Sequence, residues 1–299
     1  DPLWSRGLGD VYKRQMRERF PRLIHCRVSG FGANGPLGGA PGYDAVAQAL
    51  GGLMSVNGTP DTGALRVGVP VVDIATGLSA VIGVLLAVIE RQRSGRGQFV
   101  EATLYDTAVS LLHPQSANWL QSGQTPTLSG NAHSNIVPYD KFPTQTCEVF
   151  LGIGNNGQWK KLCEFLGRPE LAEEPRFATN ADRLQHRDAL RALLEEHLLK
   201  VDGEWLCQEL LAAGIPAGAV RTVPQVLTAP HTLHRDMVVQ VEGMSGIGIP
   251  VKLSRTPGRA HSAPPRFGQH TRELLLEHGY GVATIDALIA RGTVQQAAA

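Results

Sequence analysis

The sequence predicts an α/β protein in two parts, and three observations carry that prediction. The run Pro21 to Ser29 (PRLIHCRVS) is short and apolar, ends in a glycine-rich loop and reads as a strand. An apolar helical segment from Thr76 to about Arg93 is capped by Ser94-Gly95-Arg96-Gly97, and the alternating QFVEATL of Gln98 to Leu104 follows as a second strand. Residues Gln121 to Ser134 are polar and Gly-rich, which makes them a linker to a second set of strand and helix patterns.

In order, the first strand enters SGFGANGP (Ser29 to Pro36), and a helix is expected over Tyr43 to Leu50, ended by Gly51-Gly52. A Gly/Pro-rich loop leads to Val69-Pro70-Val71-Val72-Asp73, then to the long helix, the second strand and a further helix over Asp106 to Leu120. Past the linker come a strand at Cys147 to Gly152, helices at Gln158 to Leu166, Asp182 to Leu199 and Glu204 to Ala213, and a strand-like return in AGIPAGAV. Strands at Met237 to Val241 and Gly248 to Leu253 and a helix from Thr271 closed by Gly279 complete the chain. The organisation expected is a leader at 1–15 that looks like a cloning or sequencing scar, then parts at 16–125, 126–225 and 226–299.

With 299 residues and 42% apolar content the chain can build a real core. The 28 Lys plus Arg balance 27 Asp plus Glu, and no basic block supplies a nucleic-acid footprint. The longest apolar run, Gly77 to Ile89, has 13 residues, short of the roughly 18 to 20 that span a bilayer, so a buried helix and no membrane association are expected. Cys26, Cys147, Cys163 and Cys207 are far apart with no C-x-x-C pair. They are read as small buried hydrophobes in a cytosolic protein without a metal site.

The spacing G-x-G-x-x-G at Gly30, Gly32 and Gly35 invites a dinucleotide reading, yet Pro36 follows at once and no helix opens at the third glycine. Gly152 to Gly157 (GIGNNG) continues Gln-Trp, so it is no P-loop, and no G-x-S-x-G elbow occurs. His231 and His234 fit one helical turn, without an acid or Cys cluster to complete a metal set. Asp73 stands out, because it follows an apolar run and precedes a long helix. An acid there is either the helix N-cap or a reactive group held at the helix start.

The segments RLIHCRVSGFGANGP, GYDAVAQALGGLMSVNG, VVDIATGLSAVIGVLLAVIERQRSGRGQFVEATLYDTAV, RFATNADRLQHRD, AGIPAGAV and FGQHTRELLLEHGY together resemble the class III CoA-transferases, over about residues 17–281. The resemblance implies a Rossmann-like large domain, lacking its N-terminal part here, with a smaller α+β domain, and a homodimer whose full-length chains interlock. It further implies acyl-CoA and carboxylate substrates, no permanently bound cofactor beyond CoA as substrate, and an aspartate nucleophile that Asp73 in D-I-A-T-G matches. A carboxylate is ionised at neutral pH and can attack a thioester carbonyl without a general base. Backbone N–H groups of a Gly-rich loop can hold the oxyanion.

The same family contains α-methylacyl-CoA racemases, whose pattern has a His where this chain has Tyr43 and a Glu where it has Asn156. GNAHSNIVPYDKF with GIGNNGQWKKLCEFLG most resembles the branch acting on succinyl-CoA and small dicarboxylates. Gly130, Asn131, Ala132 and His133 fall where relatives carry a mobile glycine loop over the aspartate. His133 is either an acceptor-carboxylate donor or a solvated loop residue, and Arg66 either pairs with a distal carboxylate or is an ordinary surface arginine. Tyr43 is expected near the active site, placed by the glycine loop and Pro36. A racemase and a catalytically inactive fragment of the family stand as the alternative readings.

Overall fold

The computed structural model describes residues 15–297, so the expected leader at 1–15 lies outside the described residues except for Gln15. By internal contacts the chain divides after Ala219 into two units. The first opens with β1 (His25–Ser29), α1 (Asp44–Leu50) and a small hairpin of β2 (Gly58–Thr59) and β3 (Gly63–Ala64). The helix α2 (Val71–Ser94) and β4 (Phe99–Thr103) follow, and β4 pairs parallel with β1 from His25↔Phe99 to Ser29↔Thr103. A parallel pair needs a crossover, and α2, packed against both strands, provides it.

Only Gly95 to Gln98 separate α2 from β4, so the helix C-terminus lies near the amino end of that strand and its N-terminus points towards the carboxyl ends of the pair. The helix has 24 residues and is about 36 Å long; a five-residue strand spans about 17 Å. The first turns of α2 therefore project past the strands. Close packing is set by Gly83, where an added Cβ would lie 2.7 Å from Val100 Cγ1.

The expectation of a buried helix is corrected. Val72, Thr76, Ala80 and Ala87 are buried on the strand side, while Ile74, Leu78, Val81, Ile82, Leu85 and Leu86 are exposed. The cause is that a two-stranded sheet covers only one face of a helix. The 13-residue run lies inside a helix that is long and apolar enough to cross a bilayer by length and composition, although one of its faces packs on β1 and β4.

At the carboxyl end of the pair, Ala47 of α1, Val72 of α2, and Leu104 and Ala108 of α3 (Leu104–Ser110) form a small core. Thr103 caps α3 by accepting from Asp106 N–H at 3.0 Å. The single helix expected over Asp106 to Leu120 is two, because Pro114, which lacks an N–H, separates α3 from α4 (Gln115–Ser122).

A larger core lies beyond the linker. The strands β5 (Tyr139–Pro143) and β6 (Glu148–Gly152) precede α5 (Asn156–Phe165), α6 (Asn180–Gln185), α7 (Arg187–Leu198), α8 (Gly203–Ala212) and β7 (Ala217–Ala219). The sheet is antiparallel in the order β5-β6-β7. Val149 and Leu151 of β6 meet Trp159, Leu162, Leu190, Leu194, Leu206 and Leu210 in this core. The helix expected over Asp182 to Leu199 breaks at His186, after a capping box between Thr179 and Asp182 starts α6 early. Arg183 is fully buried, with Nε donating to Val137 O at 2.7 Å, Nη1 to Phe177 O at 2.9 Å and Nη2 to Asn156 Oδ1 at 3.0 Å. Its guanidinium lies over the Trp159 ring, and burial lowers its proton affinity.

The second unit contains α9 (Val223–Leu227), α10 (Pro230–His234), a hairpin of β8 (Val238–Val241) and β9 (Met244–Ile247), α11 (Thr271–Glu277) and α12 (Val282–Ala290). The strand expected at Gly248 to Leu253 is corrected to β9. Glu242 and Gly243 both have positive φ and form a two-residue turn, so pairing begins at Val241↔Met244. His231 and His234 lie on α10.

The cysteine expectation is corrected at Cys26, which is exposed on β1, where the open pair leaves alternate residues uncovered; Cys163 and Cys207 are buried and Cys147 is intermediate. Burial pushes the Cys163 thiol from 9.0 up to about 12. A thiol raised in the folded state contributes stability below its unfolded pKa of 9.0 that is lost as pH rises towards the folded value. We expect Cys163→Ala to reduce the fall in unfolding free energy between pH 8 and pH 10.5, measured by urea titration, and an unchanged fall would refute this.

Two glycines of α2 give a second test. A Cβ at Gly77 meets nothing within 4 Å, so Gly77→Ala is expected to stabilise the fold by about 0.5–1 kcal/mol through helix propensity alone. Gly83→Ala gains the same propensity but presses on Val100, and its urea midpoint is expected to fall.

Candidate active site

The glycine loop after β1 is held by its own backbone. Gly32 N–H donates to Ser29 Oγ at 3.1 Å, Gly39 N–H to Gly32 O at 2.8 Å, and Tyr105 N–H of α3 to Gly30 O at 3.0 Å. Gly30 and Gly42 approach so closely that an added Cβ on either would meet the other's Cα at 2.8 and 2.6 Å. The helix after the loop begins only at Asp44, so no helix N-terminus faces the third glycine and the loop is unlike a dinucleotide grip. The loop ends at Tyr43, whose side chain is 77% exposed and makes no cap bond.

Asp73 is the third residue of α2, with Pro70 at the N-cap. An acid at this position ordinarily reaches back to the N-cap N–H in a capping box. Proline has no N–H, so that partner does not exist. The helix end is capped from a distance instead: Asp44 Oδ2 accepts from Val72 N–H at 2.8 Å and from Asp73 N–H at 3.2 Å. Val71 N–H donates to Val69 O at 2.8 Å, and Ile74 N–H to Pro70 O at 3.0 Å. The first-turn donors are thus committed without the Asp73 carboxylate, which is exposed and makes no hydrogen bond among the described residues.

Of the two roles the sequence leaves open for Asp73, the N-cap belongs to Asp44. Space accompanies this freedom. Gly77 lies one turn further on the same face, and a side chain there would lean over Asp73, but it carries none and has nothing within 4 Å of where a Cβ would stand.

Asp44 is held by Gln48, whose Nε2 donates to Asp44 Oδ1 at 2.6 Å and whose Oε1 accepts from Val67 N–H at 2.8 Å. This pair was not anticipated as part of the site. Its signal is the i,i+4 spacing of Asp and Gln on the apolar side of α1, with Ala47 between them. Val67 follows Arg66, which is exposed and donates weakly to Val67 O at 3.4 Å.

The loop Gly130 to His133 is tied to the same region. Gly130 N–H donates to Gly58 O at 2.8 Å, and Arg187 Nη2 to His133 O at 2.8 Å. Ala132 N–H and His133 N–H bond Ser129 O and Tyr139 O, which leaves Asn131 N–H as the one donor of the four without a partner among the described residues. His133 Nδ1 accepts from Asn135 N–H at 3.0 Å, so in the neutral ring Nε2 carries the proton. The ring meets Tyr139 edge-on, with centroids 5.2 Å apart. The structure therefore links Arg66, Asp73 and the loop through the Asp44 and Gln48 side chains and the backbone bond from Gly130 to Gly58, with no hydrogen bond or ion pair between their own side chains among the described residues. Asn156 is engaged by Arg183, while Tyr43 neighbours Asp44 in sequence.

A cleft of about 810 Å³ is lined by Gln115, Asn118, Ala132, Asp140, Arg187 and Arg191, with Asp73 outside it. Its cations are already engaged, since Arg191 bonds Asp140 at 2.6 Å and Glu195 at 2.8 Å. No group of three or more His, Cys, Asp or Glu able to hold a metal occurs among the described residues.

Comparison with known proteins adds the family. The model of CoA-transferase family III matches residues 7–271. The succinate–glutarate CoA-transferase of Agrobacterium fabrum is 35% identical over 266 residues, 86% of this chain and 66% of that protein. The succinyl-CoA:glutarate CoA-transferase of Mus musculus is 33% identical over 283 residues, covering 92% and 65%. A crystal structure of a CAIB/BAIF family protein from Brucella suis superposes with a TM-score of 0.77 at 37% identity, covering 90% of this chain and 73% of that one. The chain spans about two thirds of the length of these curated relatives. On the match over residues 7–271 and this likeness in sequence and structure, the chain belongs to CoA-transferase family III.

Proposed function

We propose that the protein transfers CoA from an acyl-CoA, succinyl-CoA in the first instance, to a small dicarboxylate, with Asp73 as the nucleophile. The observation that carries this reading is the unbonded Asp73 carboxylate beside the open space at Gly77, at a helix start already capped by Asp44. An Asp73 oxygen attacks the thioester carbonyl and CoA leaves as thiolate, giving a mixed anhydride. The thiolate attacks the Asp73 carbonyl, releasing the donor carboxylate and forming an aspartyl-CoA thioester. The acceptor carboxylate displaces the thiolate from that thioester, and the thiolate then takes the acceptor acyl group and regenerates Asp73. Four exchanges at one carboxylate require no net proton transfer.

Arg66, whose one bond among the described residues is a weak one to its neighbour's carbonyl, and His133 Nε2 supply donors suited to carboxylates. The substrates named for the two relatives, glutarate with succinate or succinyl-CoA, favour the dicarboxylate class. A racemase needs a second acid–base residue, whereas here Tyr43 is a phenol and Asn156 is committed to Arg183.

Incubation with succinyl-CoA followed by hydroxylamine is expected to leave a hydroxamate on the peptide containing Asp73, detected by mass spectrometry. Asp73→Ala is expected to lose both label and turnover; full turnover in that variant overturns the reading. Deuterium wash-in at Cα of a 2-methylacyl-CoA would favour the racemase, and failure to bind CoA in titration would favour an inactive fragment.

Pro70→Ser tests why the carboxylate is free. The new N–H gives Asp73 a capping-box partner, and a hydrogen bond worth about 1–1.5 kcal/mol to the nucleophile lowers kcat about tenfold. Thermal stability is expected to hold or rise. Unaltered kcat would show that Pro70 does not control the state of Asp73.

A further inference from the structure

The ties behind Asp73 have an order of donors and acceptors that the neighbouring backbone dictates. Asp44 is 9% exposed and Gln48 is fully buried, so neither can exchange its partners for water. At one end stand the Val72 and Asp73 N–H groups, both donors; at the other stands Val67 N–H, also a donor. A relay between two donor ends needs an acceptor at each end and one donor between them. A carboxylate followed by a carboxamide meets that need: Asp44 accepts three bonds, while Gln48 donates one and accepts one.

We propose that Asp44 and Gln48 are positioning residues for Asp73. They tie the first turn of α2 to α1 and to the segment carrying Arg66, and so fix a nucleophile whose own carboxylate is unbonded. Neither side chain touches the reacting atoms. This rests on the reading of Asp73 as the nucleophile. The geometry supports it in two further ways: Ala47, between the pair, packs with Val72 in the small core, and Thr76 Oγ1 donates to Val72 O at 2.7 Å, so the turn is gripped from both sides. A misplacement of about 1 Å at such a group is enough to cost about 100-fold in rate.

The test follows from the order of donors. In Asp44→Asn the new amide faces the Gln48 amide, and whichever of the two flips, one pair of N–H donors is left opposed. In the double variant Asp44→Asn/Gln48→Glu every bond is restored with the charge moved one step along: the asparagine oxygen accepts from α2, its amide donates to the glutamate, and the glutamate accepts from Val67.

With the full chain, Asp44→Asn is expected to lower kcat about 10- to 100-fold with KM for succinyl-CoA nearly unchanged. The double variant is expected to recover kcat to within about threefold of the parent. Amide exchange at Val72 and Asp73 is expected to quicken in the single variant and slow again in the double.

A single variant with undiminished kcat, a loss matched only by the unfolded fraction, or a double variant as impaired as the single would each overturn the proposal. Asp73→Ala, assayed alongside, separates the two claims. Turnover retained in it sinks the nucleophile reading and this one together. Turnover lost there but kept in Asp44→Asn sinks the positioning role alone.

Discussion

Two carboxylates compete for the N–H groups at the start of α2, and the surrounding structure depends on which of them takes those groups. Asp73 is nearer in sequence, but an acid in the first turn bonds well only with an N-cap that offers an N–H, and here the N-cap is Pro70. Asp44 approaches from α1 and takes Val72 and Asp73 N–H. Its buried charge is offset by the positive end of the helix and by three donors, a setting in which a carboxylate is tolerated away from water. The consequence is a division of labour: one acid is spent on structure so that the other stands unbonded at the surface.

That arrangement also orders the loops. Because Gln48 reaches Val67 and Gly58 receives Gly130, the hairpin of β2 and β3 is fastened to the capped helix on one side and to the Gly130–His133 loop on the other. Arg187 fixes the far end of the loop through His133 O. The loop bonds β5 of an antiparallel sheet with a large core, while Asp73 stands at the start of a helix that packs on a parallel pair with a small one. Coupling between the two parts therefore runs through the backbone bond from Gly130 to Gly58 and through two side chains, Gln48 and Arg187, that each meet a main-chain group.

What the sequence makes legible is the chemistry of single positions and the order of the long elements. Strand, helix and strand around residues 25–103 are readable because the helix is closed by a glycine and the strands are apolar. Asp73 is readable as exceptional, yet whether it caps the helix is not, since the residue that takes the cap lies 29 positions upstream. The Asp44–Gln48 pair is visible only as two polar residues on an apolar helical face, and that pattern does not say which backbone they will meet. The split helices at Pro114 and His186 show local chemistry interrupting a periodic pattern. The misplaced strand at Gly248 to Leu253 shows a two-residue turn outranking apolar runs in setting register. The exposed side of α2 was unreadable for a different reason: apolar sequence reports what a face can bury, not how much sheet is there to cover it.

The geometry also constrains where an oxyanion can be held. A helix N-terminus is ordinarily an anion site because its first N–H groups are free, but here Asp44, Val69 and Pro70 have taken them. Under the proposed chemistry an oxyanion donor has to come from elsewhere, and of the four backbone N–H groups in the Gly130–His133 loop only that of Asn131 has no partner among the described residues. A single donor is a weak oxyanion hole, since each donor contributes about 3–4 kcal/mol. Freeing Gly130 or Ala132 N–H would require breaking one backbone hydrogen bond, to Gly58 O or Ser129 O, at a net cost of about 1 kcal/mol. Under the proposed chemistry that exchange is favourable, because one donor released to a localised oxyanion returns more than the bond it gives up.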